Sequence, residues 1–251
     1  MYLLEGNLGA GKSTMLALIK QHLPHLHVVT EPVNSWHNDN FQESLLGHFY
    51  KDTPRWAYTM ELFTMMTRVK EHLKEQASLE QLNSYTYTPK IMERSLYSGY
   101  YCFAKNGYEQ GFLTYEEWTA YNQWFEFLVA KKCATPTGFI YLQAAPEVCL
   151  KRMSKRNRSG EDTVPLEYLQ QIHNQHEQFL VHKTSVAKNL QNVPVLVLDV
   201  SEEFAHNQVI LQNLINQIQD FIMSSMSSTL INAVSLNNPL SPSNTKNFSI
   251  V

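Results

Sequence analysis

The sequence predicts an α/β chain, a parallel sheet covered by helices on both faces. Two observations carry this. Short apolar runs alternate with longer segments of helical spacing, the pattern of strands joined by crossover helices. The first run also leads straight into GNLGAGKS, Gly6 to Ser13, a full G-x-x-x-x-G-K-[ST] sequence set between a strand and a helix. Right-handed crossovers follow as the default.

The elements justify themselves in order. Tyr2–Glu5 is a short apolar run and reads as the first strand, and Thr14 to Ile19 opens the first helix. His27–Thr30, Lys90–Met92, Phe139–Gln143 and Val195–Val200 read as the remaining strands. Between them, Tyr115–Lys132 and Pro146–Lys155 carry helical spacing. Pro165 to Lys188 reads as one long helix, with Leu166, Leu169, Ile172, His176 and Phe179 recurring on one side. Asn207 to Ile222 closes the domain, with Ile210, Leu214 and Ile218 four apart. From Ser224 the chain turns rich in Ser, Asn and Pro, so residues 1–223 are expected to form one domain and 224–251 a mostly disordered tail.

Composition narrows the function classes. The 251 residues suffice for one domain with a sizeable core, and a net charge of −3 implies no general affinity for nucleic acid or membrane surfaces. No apolar run approaches the ~20 residues that span a bilayer. The glycine-rich loop begins at residue 6, so no signal or transit peptide is expected ahead of it. Cys102, Cys133 and Cys149 show no metal or disulfide spacing. A reducing, cytoplasmic setting is expected.

In the loop, Gly6, Gly9 and Gly11 permit backbone conformations closed to other residues. The amides of Gly6, Asn7, Leu8, Gly9, Ala10, Gly11, Lys12, Ser13 and Thr14 can then face an anion at the positive end of a helix. Lys12 would reach the β- and γ-phosphates of a nucleoside triphosphate, and Ser13 would ligate Mg²⁺. Charged residues follow three strand ends: Glu5, Glu31, and the Glu93-Arg94 pair. In open α/β sheets that edge binds ligands. Glu31, fixed by Pro32 behind it, could accept a proton from an attacking hydroxyl, or be a solvated strand-end carboxylate. Glu93 could hold Mg²⁺ and Arg94 could orient Glu31 or touch the transferring phosphoryl group, the bland alternative being a surface pair. Lys151, Arg152, Lys155, Arg156 and Arg158 form a cationic run. It reads as a flap closing over the γ-phosphate, with a solvated helix face and a nucleic-acid patch as alternatives. Glu61 and Arg68 lie seven apart on one helical face and could present a hydrogen-bonding edge to a planar base. His173 and His176 have no evident third metal ligand and read as ordinary helix residues.

Together these segments resemble the deoxynucleoside kinases, the group that holds deoxycytidine, deoxyguanosine, mitochondrial thymidine and insect multisubstrate kinases. The match runs from Leu3 to about Val200 through GNLGAGKS, TEPVNSW, FYKD before RWA, MERSLYS, and KRMSKRNRSGED followed by VPLEYLQQIHNQHEQFL. The resemblance implies a P-loop NTPase-like three-layer fold whose five parallel strands run in the order 2-3-1-4-5. It implies transfer of a phosphoryl group from ATP, or another triphosphate donor, to a deoxynucleoside. Glu31 becomes the base for the 5′-hydroxyl, Arg94 its neighbour, Ser13 and Glu93 the Mg²⁺ side. Arg152, Arg156 and Arg158 match lid arginines. Tyr50 and Glu161 match the pair on the 3′-hydroxyl, and Trp36 and Phe103 the aromatics around the base. A homodimer and feedback by a deoxynucleoside triphosphate follow from the same resemblance.

The chain departs from that pattern in the base pocket. Glu61 stands where the family generally has Gln, Met60 where it often has Phe, Gly99 where an Asp would pair with Arg68, and Tyr100 where an Arg is common. With Gly99 there, Arg68 is expected to be held by Glu61, and Gly99 to open space for a purine. The donor and acceptor pattern favours deoxyguanosine or deoxycytidine over thymidine. Two other readings compete. A nucleoside monophosphate kinase shares loop and lid, but TEPV, MERS and the Tyr50–Glu161 pair speak against it. An inert accessory subunit on the same fold would not need the loop Lys, the base Glu and the lid arginines, all of which are present.

Overall fold

The computed structural model of the chain describes residues 1–31, 45–81, 88–157 and 164–236. Its sheet is built from β1 (Tyr2–Gly6), β2 (His27–Val29), β3 (Lys90–Glu93), β4 (Gly138–Gln143) and β5 (Val195–Asp199). All neighbours pair in parallel, in the order β2-β3-β1-β4-β5. That is the order the resemblance implies.

The alternation of side chains along each strand divides the core in two. Tyr2, Leu4, Ile140, Leu142 and Leu198 face one side. There they meet α1 (Lys12–His22), α7 (Pro146–Arg156) and α10 (Gln208–Leu236) through residues such as Leu16, Met153 and Ile218. Leu3, Met92, Phe139 and Tyr141 face the other side. They meet α3 (Thr53–Gln81) and α6 (Tyr115–Lys131) through Met65, Val69, Tyr121 and Phe125. A three-layer arrangement results, with a separate small cluster of Leu45 and Met60 where α2 (Leu45–Lys51) meets α3.

After β3 the chain enters α4 (Leu96–Ser98), a π-helical stretch (Gly99–Ala104) and α5 (Lys105–Glu109). Ser95 caps this helix, its side chain accepting from the amides of Tyr97 and Ser98. Thr114 and Glu117 form a reciprocal capping box at the start of α6.

Two expectations of length need correction. The helix expected from Pro165 to Lys188 is α8 (Leu166–His176) followed by a π-helical turn (Glu177–Val181), and it stops there. Lys183 and Ser185 take left-handed φ angles of 52° and 57°, and Lys183 Nζ donates to the carbonyls of Gln191 and Val193. The chain then turns through the short α9 (Lys188–Gln191) into β5. The last helix, in contrast, runs past Ile222 to Leu236, so Ser224 falls inside a helix. Residues 237–251 of the expected tail lie outside the described residues.

Candidate active site

The carboxyl ends of β1, β2 and β3 meet beside the glycine-rich loop, because the register sets Leu4 against Glu93 on one side and Ile140 on the other. A cavity of about 600 Å³ opens there. One end is lined by Gly9 and the residues from Gly11 to Thr14, the other by Glu61, Arg68 and Phe103, with Glu31 and Arg94 also on its wall.

The loop needs glycine where its turn is tightest. Gly9 has φ 75°, and a Cβ there would run into the Cys149 carbonyl and sit 2.9 Å from Met153 Cγ. Gly11, at φ 98°, is the left-handed N-cap of α1. Asn7 fastens the loop: its Nδ2 donates to the Leu169 carbonyl at 2.8 Å and its Oδ1 accepts from the Leu8 amide at 2.8 Å. Lys12 Nζ is turned onto the carbonyls of Gly6 and Asn7 at 2.9 and 2.7 Å. Burial, and then the charge of Arg94, lower its pKa to about 7. An anion beside it would favour the charged form.

Ser13 Oγ donates to Glu93 Oε1 at 2.9 Å. A hydroxyl and a carboxylate are hard oxygen donors, so the pair fits Mg²⁺ beside a phosphate chain. Among the described residues, no group of three or more His, Cys, Asp and Glu side chains is arranged to hold a metal.

Glu31 is held between two guanidinium groups. Arg68 donates to its Oε1 through Nη2 at 2.8 Å and Nε at 3.2 Å, and Arg94 Nε lies 3.6 Å from Oε2. Burial alone would raise the carboxyl pKa, but Arg94 and Arg68 outweigh it and hold the group below its ordinary value. Glu31 thus stays ionised. Arg94 itself has φ 53°, unusual for a residue with a side chain. Its amide donates to the Leu4 carbonyl at 2.9 Å, and its guanidinium lies 4.6 Å from the centroid of Phe103. Below it, Glu5 is fully buried, with Oε1 accepting from the Ser95 amide at 3.0 Å. Burial raises its pKa.

The base-pocket expectations change in three respects. Arg68 pairs with Glu31, not with Glu61. Glu61 is buried in the cavity wall, and its Oε2 has no hydrogen-bond partner among the described residues. Gly99 does not open the cavity, because a Cβ there would sit 2.7 Å from Arg68 Nη1. The Arg68 guanidinium occupies that space. Tyr100 stacks on Phe125 at 3.9 Å and on Trp118 at 5.4 Å, which gives this departure a packing role. Met60 and Phe103 do line the cavity, as does Tyr50 from α2.

Arg152 and Arg156 sit on the last turns of α7 and both reach the cavity. Arg152 has partners already: it donates to the carbonyls of Ala10, Val200 and Glu202 at 3.3, 2.7 and 2.8 Å. It therefore ties the phosphate loop to the segment after β5. Trp36, Arg158 and Glu161 lie outside the described residues.

Some lining residues escaped the sequence reading. Tyr168 of α8 faces the cavity from a turn that reads as ordinary amphipathic helix, and Phe204, Ala205 and His206 border the phosphate loop from the far side. The latter lie between a strand and a helix, where periodicity gives no signal. Glu203 Oε1 shapes that turn by accepting from the amides of Ala205 and His206 at 2.7 and 3.3 Å.

A family model described as deoxynucleoside kinase matches residues 3–223. The chain is 37% identical over 234 residues to the mitochondrial deoxyguanosine kinase of Xenopus laevis, covering 87% of this chain and 88% of that one. It is 34% identical over 239 residues to deoxycytidine kinase 2 of Gallus gallus, covering 88% and 89%. It is 35% identical over 238 residues to the deoxycytidine kinase of Homo sapiens, covering 87% and 89%.

Proposed function

The chain belongs to the deoxynucleoside kinase family and is an enzyme that phosphorylates deoxynucleosides, and we propose that Glu31 is the base for the 5′-hydroxyl of its substrate. The observation that carries this is the ionised Glu31 carboxylate on the wall of the cavity that also holds Lys12 and Ser13. In a loose phosphoryl-transfer transition state the attacking oxygen needs little activation. A carboxylate of lowered basicity can therefore orient the hydroxyl and take its proton as the new P–O bond forms and the bond to the leaving nucleoside diphosphate breaks. Lys12 and the loop amides hold the triphosphate of ATP or a related donor. Ser13 and Glu93 would hold Mg²⁺, which would supply charge neutralisation on the phosphate chain. Arg94 orients Glu31, and Arg156 with Arg158 adds positive charge at the transferring group, with Arg152 anchoring the base of that helix.

The sugar sits between Tyr50 and Glu161, and the base between Trp36, Phe103, Glu61 and Arg68. Glu61, which only accepts, together with Arg68, which only donates, supports a preference for deoxyguanosine or deoxycytidine over thymidine. The exposed Tyr115, Trp124 and Phe127 of α6 support a homodimer. The net charge of −3 fits a protein without a nucleic-acid partner, and no helix among the described residues is long and apolar enough to cross a membrane. We place the enzyme in the cytoplasm, under feedback by a deoxynucleoside triphosphate that spans acceptor pocket and phosphate loop. The kinase domain ends near residue 223, where the family match ends, with 224–251 as an appendage.

The test is Glu31→Gln. It keeps size and burial but cannot take a proton. The turnover number should fall by roughly 10²-fold or more, with nucleoside affinity changed much less. Near-normal turnover refutes the assignment.

A further inference from the structure

Glu61 is a carboxyl group sunk in the wall of the substrate cavity with an oxygen that meets no donor among the described residues. The Arg68 one face along the same helix is committed to Glu31 through two nitrogens. A buried polar atom without a partner is costly, so its place in the cavity points to a partner that arrives with the substrate. We propose that Glu61 selects the base in two forms: ionised, it takes an edge with two neighbouring donors, and protonated, an edge with a donor beside an acceptor. This rests on the placement of the base beside Glu61.

The chemistry separates guanine from the other three bases. A carboxylate offers acceptors only, and a carboxylic acid offers one donor and one acceptor. Guanine alone presents two adjacent donors, N1–H and the N2 amino group. Thymine presents N3–H beside a carbonyl, cytosine its N4 amino group beside N3, adenine its N6 amino group beside a ring nitrogen. A Gln at this position matches the mixed edges at every pH, whereas a Glu matches them only when protonated.

The surroundings place the change of form near neutrality. Burial is the largest influence on Glu61 and raises its pKa to about 7, against the opposing pull of Arg68 and Arg94. Glu31 partly cancels both of those cations, being paired with each. The phenols of Tyr121 and Tyr168, from α6 and α8, are held above their ordinary values by burial and stay neutral. No base named above titrates near neutral pH, so the side chain is the group that changes.

The experiment measures kcat/KM of the full chain for deoxyguanosine and for thymidine from about pH 6 to about pH 8. Their ratio cancels every titration common to both substrates, including those of Glu31, Lys12 and the phosphates. The deoxyguanosine-to-thymidine ratio should rise about a hundredfold, about tenfold from the gain in ionised fraction of a group titrating near 7 and about tenfold from the loss of its protonated fraction. In Glu61→Gln the ratio should be flat and lower. A flat ratio in the unaltered protein, or a rise that persists in Glu61→Gln, overturns the proposal. Titration calorimetry near pH 7, in buffers of different ionisation enthalpy, tests the unaltered protein independently. Deoxyguanosine should release protons on binding and thymidine should take them up, and the same sign for both overturns the proposal. Thymidine leading at every pH while the ratio still rises would refute the stated base preference and leave the two-form selection standing. A deoxyguanosine lead with a flat ratio would do the reverse.

Discussion

At Glu31 two physical effects oppose each other, and the balance decides the chemistry. Burial works against charge, while two guanidinium groups within 3.6 Å restore it. Arg68 therefore has two jobs, lining the cavity and keeping Glu31 ionised. This gives a pH prediction with a definite sign. A carboxyl held below its ordinary value stays active until the pH falls through that lowered value. Arg68→Met removes one of the two cations, so the carboxyl protonates at higher pH. The acidic limb of the kcat profile should move up by about one pH unit, as measured in initial-rate assays at saturating substrate. An unmoved limb would mean that Arg94 alone sets the Glu31 charge.

Among the elements, α7 joins two functions along one length. Its first turns are core, with Cys149 and Met153 buried against the loop glycines. Its last turn carries cations to the cavity and ends at Asn157, a left-handed cap with φ 51°. Arg152 fixes the helix to the loop through the Ala10 carbonyl and to the segment after β5 through those of Val200 and Glu202, so Arg156 one turn on inherits a defined starting point. Arg156→Ala and Arg158→Ala should each lower kcat more than they weaken nucleoside binding, because their charge counts most when the transition state forms. Comparison of kcat with the dissociation constant for the nucleoside checks this. Equal losses in both would point to simple substrate binding.

Across the whole molecule, the last helix closes the sheet opposite its active edge. Tyr2 in β1 donates its hydroxyl proton to the Ile222 carbonyl at 3.2 Å, and Phe221 packs edge-on against the Tyr2 ring at 5.9 Å. Gly138 in β4 leaves the space that Phe221 fills, since a Cβ there would lie 2.7 Å from Phe221 Cζ. Ending the chain after Ser225 keeps these contacts and should leave activity and melting temperature nearly unchanged. Ending it at Asp220 removes Phe221 and Ile222. At roughly 3 kcal/mol or more for a lost core aromatic and a comparable sum for the isoleucine, the melting temperature should fall by at least about 10 °C. Thermal unfolding of the two truncations separates them. A large loss in the longer one would mean that residues beyond 225 pack on the domain.

The amino-acid sequence by itself determined the class of fold, the phosphate loop and the strand-end charges. These are local matters: the period of apolar residues, glycines at positive φ, and a carboxylate directly after a strand. The strand ends were right to within a residue or so, since an apolar run stops where the chain leaves the sheet. Sequence did less well with Pro165 to Lys188, where left-handed residues at Lys183 and Ser185 stop a helix whose period alone would continue it. Only the tertiary structure decided who pairs with whom. Arg68 shares a helical face with Glu61 and bonds instead to Glu31, which lies just past β2. The space expected at Gly99 is taken by that same arginine. Tyr168 and the turn at Phe204 reach the cavity from elements far along the chain. Spacing along a helix states which side chains share a face. Choosing among several opposite charges depends on burial and on distances across the sheet edge, which exist only once the layers have packed.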